Sequence, residues 1–275
     1  ILIDQEGGKV NRLNNIISFD NISSEYFGNL FLKDKKKFSV IFKLFIDKTS
    51  YLLKLMGINI NTVPVLDLRY KNASNVIGNR SYSSNKFVVS NIGEICINLF
   101  RENSIGTVIK HIPGHGLAQV DSHESPPNTK ASREILDEID FLPFKKLNHL
   151  PMGMTAHVIY EAIDVLPGTI SSKINDVIRS DLGFDGLLIS DDVSMKALSG
   201  SICQRASTVI QAGCDVVLHC NGKLGEMEQI AKGAGCLSGE GEIRAGKVIN
   251  LHNQLADWEV DLSHLKAQLG MTALS

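Results

Sequence analysis

Long apolar runs are missing from this sequence. No stretch approaches the roughly 18 residues that a helix needs to cross a bilayer, so no membrane partner is expected. An excess of charge is missing too. The 28 Lys and Arg stand against 30 Asp and Glu, and a net charge of −2 gives no strong field to recruit nucleic acid or an acidic membrane. Paired cysteine spacing is absent: Cys96, Cys203, Cys214, Cys220 and Cys236 are an odd set without CxxC. They read as reduced, mostly buried thiols of a cytosolic protein. Internal repeats, low-complexity tracts and interdomain linkers are also lacking. A clean signal peptide is lacking because Asp4 and Glu6 interrupt Ile1-Leu2-Ile3. There is no starting Met, and the chain opens within what reads as a strand, so a fragment of a longer protein is expected.

What remains is a globular composition, 43% hydrophobic and 21% charged over 275 residues. That length suits one large domain, since barrels commonly reach about 250 residues undivided. Short apolar runs recur, each running into polar residues. Ile1-Leu2-Ile3 meets Asp4, Val63 to Leu66 meets Asp67, and Thr107 to Ile109 meets Lys110 and His111. Met152 to Ala156 meets His157, Gly186 to Ser190 meets Asp191, and Asp215 to Leu218 meets His219 to Asn221. Between them lie helical periodicities over Phe38–Leu55, Phe87–Phe100, Ile135–Leu150, Ile174–Leu182 and Ser201–Ala212. Alternating strands and helices predict parallel βαβ units. All six runs end in polar residues, which favours the active face of a (β/α)8 TIM barrel over an open doubly wound sheet. Only six of the eight units are visible, so the barrel is expected to be incomplete. From Lys223 onward the strand signal stops, and residues 223–275 read as a helical end, with helices at 228–232, 242–255 and 262–269. Lys33 to Lys37 reads as a solvated helix start.

The densest chemistry lies at Lys110-His111-Ile112-Pro113-Gly114-His115-Gly116, followed by Asp121-Ser122-His123. His111 and His115 share an i, i+4 spacing, which makes a metal pair only on a helix. Pro113, Gly114 and Gly116 argue against one and describe a sharply shaped loop, with His115 bonding backbone groups. Asp121 can fix the tautomer and raise the basicity of His123, or it can be a turn-forming residue beside an exposed imidazole. Of Ser190-Asp191-Asp192, Asp191 is placed to point into the barrel mouth. An Asp here can be a nucleophile, a metal ligand or a helix cap, and Asp192 has the cap position if Val193 to Leu198 begins a helix. Gly7-Gly8 lacks GxGxxG or P-loop spacing and is weak evidence for phosphate. Arg12, Arg80 and Lys110 among several Asp residues suit a polyhydroxylated or amide-bearing ligand.

At this point the residues resemble a known family. Asp4-Gln5-Glu6-Gly7-Gly8-Lys9-Val10-Asn11-Arg12, Val63-Pro64-Val65-Leu66-Asp67, Ile77-Gly78-Asn79-Arg80, the Lys110–Gly116 loop with Asp121-Ser122-His123, Ala156-His157-Val158 and Ser190-Asp191-Asp192-Val193-Ser194-Met195 run in order as in glycoside hydrolase family 3. The similarity is greatest to its bacterial cytosolic β-N-acetylglucosaminidases. It implies a single (β/α)-barrel catalytic domain over 1–275 that lacks two N-terminal strand–helix units. It implies a retaining double displacement with Asp191 as nucleophile, His123 as general acid/base and Asp121 as its partner. Asp4, Arg12, Arg80, Lys110 and His111 match sugar-binding positions. The implied substrate is N-acetylglucosamine β-linked to 1,6-anhydro-N-acetylmuramic acid, with or without peptide, in cytoplasmic cell-wall recycling. No metal or cofactor is implied, and oligomeric state is not readable. A phosphorylase of the same family and a non-catalytic sugar-binding barrel are the alternatives. Two departures stand out: Thr155 where a Pro is common, and Lys196-Ala197 for the usual Glu-Gly.

Overall fold

A computed structural model describes residues 1–70, 73, 75–119 and 126–256. Three short parallel strands, β1 (Leu2–Ile3), β2 (Ile60–Asn61) and β3 (Gly106–Thr107), pair in that order. A second parallel set follows: β4 (Ile109–Ile112), β6 (Met152–Thr155) and β8 (Leu187–Ile189). Parallel bridges from Val65 to Lys110 and from Ile189 to Val216 extend the series. Neighbours therefore follow chain order from residue 2 to residue 216 without reversing. A doubly wound sheet would reverse at its switch point; this order is that of a TIM-barrel type fold, here not closed among the described residues. A minor pair, β5 (Asn128–Thr129) with β7 (Ile159–Tyr160), sits in the loops after β4 and β6.

The helices are α1 (Ser24–Lys33), α2 (Lys35–Leu55), α3 (Lys86–Glu102), α4 (Arg133–Ile135), α5 (Leu142–Lys146), α6 (Ser172–Asp176), α7 (Ile202–Gln211), α8 (Leu224–Ala234) and α9 (Gly239–Ala256). The strands sort their side chains by the period of two expected of a pleat. Val108, Met152, Met154, Leu187 and Ile189 fill an inner cluster with Leu2, Ile60, Val216 and Leu218. Ile109, Ile112 and Leu188 face the outer core under the helices. Ala245 and Val248 of α9 pack against the inner cluster.

On the outside, α2 buries Phe38, Phe42, Ile46 and Leu53 at helical spacing. Phe42 stacks on Phe38 at 4.9 Å and meets Phe27 of α1 edge-on at 4.6 Å. Such rings bury large apolar areas and fix helix angles. Gly28 of α1 lets the backbone at Tyr82 pack close against the helix, since a Cβ there would clash with the Tyr82 carbonyl oxygen. Within the exposed Lys33–Lys37 run, Asp34 ends α1 and caps α2, its Oδ1 accepting from the Lys37 N–H at 3.0 Å.

Several expectations change. The 135–150 periodicity is not one helix: α4, a π turn over Leu136–Asp140 and α5 share it. Pro143 has no N–H to continue the ladder, and the Asp140 side chain turns away to accept from the Leu117 N–H at 3.1 Å. The second strand pairs at Ile60–Asn61, ahead of the Val63–Leu66 run, where Pro64 offers no donor. Val193 to Leu198 forms turns rather than a helix. Asp192 accepts from the Ser194 N–H (3.0 Å), a local bond that competes with helix formation, and from the distant Cys220 N–H (3.3 Å). The next helix, α7, starts at its own capping box on Ser201 and Gln204. Of the five thiols, Cys96 and Cys214 are buried, Cys203 is half-buried, and Cys220 and Cys236 are exposed, because the latter two lie in the connections around α8.

Candidate active site

The C-terminal ends of β1, β2 and β4 bring a charged network together. Lys110, buried on β4, donates from Nζ to Asp4 Oδ1 at 2.8 Å and Thr62 Oγ1 at 3.0 Å, and meets Glu6 Oε1 at 2.6 Å. The Thr62 hydroxyl donates in turn to the Asp4 carboxylate. Arg80 grips Glu6 with a bidentate pair, Nε to Oε2 and Nη2 to Oε1, both 2.8 Å. Burial works to raise the Glu6 carboxyl, but Lys110 and Arg80 outweigh it and hold the group down at about 2. Asp4 is likewise held below the usual range by Lys110 and Thr62 against the burial that opposes ionisation.

Asp67, fully buried, ties this network to the loop that follows β4. It accepts from His111 Nδ1 at 2.6 Å and from the backbone N–H of His115 at 2.7 Å. With Nδ1–H committed, His111 presents Nε2 toward Arg80 Nη2, 3.4 Å away. His115 differs from expectation: its N–H bonds Asp67, but its buried Nδ1 has no partner among the described residues. Burial lowers its imidazole to about 4. Gly116 sits where any Cβ would lie 2.5 Å from the Leu68 carbonyl oxygen and 2.8 Å from Asp140 Oδ1. This is a close approach that only glycine allows.

Asp191 stands at the end of β8, half-buried, with Oδ1 accepting from the Asp192 N–H at 2.8 Å. Burial opposes its ionisation, yet His111, His157, the Asp192 N–H and Lys110 together hold the carboxyl below its ordinary value. The structure thus brings Asp4, Arg80, Lys110, His111 and Asp191 to one mouth. Arg12 is exposed at the rim, where its charge opposes the rise of the Cys220 thiol, pushed up to about 11 by burial and by Asp192, Asp4 and Asp191. Asp121 and His123 lie outside the described residues.

Sequence reasoning gave no role to Glu6, Thr62 or Asp67, though Glu6 is two residues beyond Asp4 and Asp67 ends an apolar run. It also gave none to His157, whose ring bonds Thr169 Oγ1 at 2.7 Å and the Asp192 carbonyl at 3.0 Å. No group of three or more His, Cys, Asp and Glu able to hold a metal occurs among the described residues. His111 and His115 are edge-on, 5.8 Å between centroids, with His111 committed to Asp67.

The family described as "Glycosyl hydrolase family 3 N terminal domain" matches residues 1–245. A "Beta-hexosaminidase" of Alkalilimnicola ehrlichii is 41% identical over 170 residues, 60% of this chain and 49% of that protein. One from Hydrogenovibrio crunogenus is 33% identical over 282 residues, 96% of this chain and 77% of that protein. The chain spans about half the length of the first curated relatives it matches. Among solved structures, NagZ from Neisseria gonorrhoeae in complex with N-trifluoroacetyl-D-glucosamine superposes with a TM-score of 0.81 at 27% identity, covering 98% of this chain and 80% of that one. A polar strand-end mouth, a barrel-type strand order and a family match over most of the chain lead to one conclusion: this chain belongs to glycosyl hydrolase family 3.

Proposed function

We propose that this chain is the barrel domain of a retaining, exo-acting β-N-acetylglucosaminidase. Its substrate is a terminal β-linked N-acetylglucosamine on a cell-wall-derived anhydromuropeptide, met in the cytoplasm. The observation that carries the reading is Asp191: a carboxylate at a strand end, kept ionised beside His111, Lys110 and His157. Retaining glycosidases need such a nucleophile within reach of the anomeric carbon.

In the first step an Asp191 oxygen attacks the anomeric carbon as the bond to the leaving oxygen breaks, and His123 delivers a proton to that oxygen. In the second, His123 takes a proton from water, the resulting hydroxide displaces Asp191, and the sugar leaves with its β configuration retained. Asp121 stabilises the imidazolium between the steps. Asp4, Arg80, Lys110 and His111 are assigned to the sugar hydroxyls and Arg12 to the rim. The ion pairs keep the donors and carboxylates in fixed directions before substrate arrives, so little is lost in reorganising them.

The test is hydrolysis of a nitrophenyl β-N-acetylglucosaminide with the first-formed anomer read by NMR, with and without phosphate. Free β-N-acetylglucosamine supports the reading. An α anomer contradicts retention, and sugar 1-phosphate formed only with phosphate replaces hydrolysis by phosphorolysis. Saturable binding without turnover assigns a sugar-binding barrel.

A further inference from the structure

Three side chains from two separate segments meet behind Asp191. Thr155 ends β6, His157 lies two residues on, and Thr169 comes from the loop before α6; all three are buried. The Asp191 N–H donates to Thr155 Oγ1 at 3.3 Å. Thr155 and Thr169 hydroxyls are 2.8 Å apart, Thr169 Oγ1 is 2.7 Å from His157 Nδ1, and His157 Nε2 is 3.0 Å from the Asp192 carbonyl oxygen.

Elementary donor and acceptor accounting gives this chain one direction. A carbonyl only accepts, so His157 Nε2 carries a proton. In a neutral imidazole Nδ1 then accepts from the Thr169 hydroxyl. With its proton spent, Thr169 accepts from the Thr155 hydroxyl, and Thr155 accepts from the Asp191 N–H. No donor is left over. The Cys214 thiol, pushed up to about 12 by burial, keeps its proton and donates it to the Thr169 carbonyl at 3.7 Å, while its sulfur also lies within hydrogen-bonding reach of the Thr155 hydroxyl.

We infer that Thr155, Thr169 and His157 are positioning residues for Asp191. Their circuit grips the Asp191–Asp192 segment at both ends, by the first N–H and by the last carbonyl. The peptide N–H between those grips is the one that holds Asp191 Oδ1. Fixing that peptide aims the carboxylate. Through the Thr155 hydroxyl the circuit reaches the backbone N–H of Asp191 itself. The inference rests on the hydrolase reading for its kinetic consequence, but not for the circuit itself.

Two measurements separate them. Ring ¹⁵N shifts of His157 in the unliganded chain should show a proton on Nε2 and an accepting Nδ1. Thr169→Val should let the ring lose that single state. In turnover, Thr169→Val should lower kcat by about 10- to 100-fold with KM nearly unchanged, the scale expected when a reacting group drifts by up to an ångström. Thr169→Ser should restore most of it. If Thr169→Val does not fold, Thr155→Val is read instead against Thr155→Ser, with the same expectation. An Nδ1–H or doubly protonated His157 overturns the inference, as does a Val variant with unchanged kcat or a Ser variant as slow as Val. Absence of turnover in the unsubstituted chain counts against the hydrolase reading alone, and the ring spectrum still decides the circuit.

Discussion

The two halves of the mouth are built by opposite means. On the β1–β2–β4 side, charges hold one another: Asp4, Glu6, Arg80 and Lys110 form a desolvated ion network anchored through His111 to Asp67. On the β6–β8 side, hydroxyls and an imidazole hold the backbone of Asp191. On the proposed hydrolase reading, the difference follows from what each half must present. A sugar with many hydroxyls is met by fixed donors and acceptors, and paired charges supply them at short range. A nucleophile needs one free oxygen and a fixed direction. A cation clamped directly onto it would blunt its attack, whereas hydrogen bonds to its backbone do not.

The comparison is broken most severely by removing the group the second half serves. Asp191→Asn should lower turnover on the order of 10⁴-fold, as loss of a central catalytic group does. Thermal unfolding should hardly move, because the amide can keep the bond from the Asp192 N–H. A variant with a substantial fraction of activity would reverse the assignment.

The charged half should break differently, in stability first. Lys110→Met leaves Asp4 without its cation and Glu6 with Arg80 alone. Removing one partner of a buried ion network costs about 3–5 kcal/mol, measurable by denaturant unfolding at pH 7. The pH dependence has a fixed sign. Asp4 and Glu6 are depressed in the folded state, so the stability they add is present above their ordinary values near 4 and is lost as pH falls toward the folded value of about 2 for Glu6. The gap between Lys110→Met and the unsubstituted chain should therefore narrow below pH 4. A gap independent of pH would mean that lost packing, rather than lost charge, dominates.

Asp140 sharpens the contrast, because it is a buried carboxyl with no cation beside it. Burial pushes it up to about 7, with Asp67 adding to the rise and the Leu117 N–H opposing it. Its folded value lies above its unfolded one, so its contribution to stability is full below about pH 4 and is lost as pH rises to 7. Against Asp140→Asn, the unsubstituted chain should lose about 1.4 kcal/mol per pH unit over that window and then level off. Parallel stability curves for the two would show that Asp140 is paired.

How much of this was legible in the sequence varies with distance along the chain. The helix α2 was readable because Phe38, Phe42 and Ile46 repeat within one element. The 135–150 segment was misread because periodicity registers apolar spacing and not the missing N–H of Pro143 or the pull of Leu117 on Asp140. Helix α1 escaped notice, although Ser23 caps it and Phe27 anchors it, because attention fell on the lysines after it. At the site, the family resemblance picked out Asp4, Arg80, Lys110 and His111. Glu6 acquires a role only through Lys110 and through Arg80, 74 positions away. Asp67 does so only through His111, 44 positions away, and the His115 N–H, 48 away. The Thr155–Thr169–His157 circuit spans two segments, and no local pattern announces hydroxyls that meet only after the strands have paired.

The central claim is that Asp191 forms a covalent bond to the sugar. Its most direct test is mass spectrometry of the chain after incubation with a fluorinated N-acetylglucosaminyl fluoride that reacts with the enzyme faster than water releases it. The account predicts one added glycosyl mass, carried by the peptide containing Asp191 and absent from Asp191→Asn. Release of sugar from a nitrophenyl substrate by a chain that never acquires the label, or a label on any other residue, would contradict it.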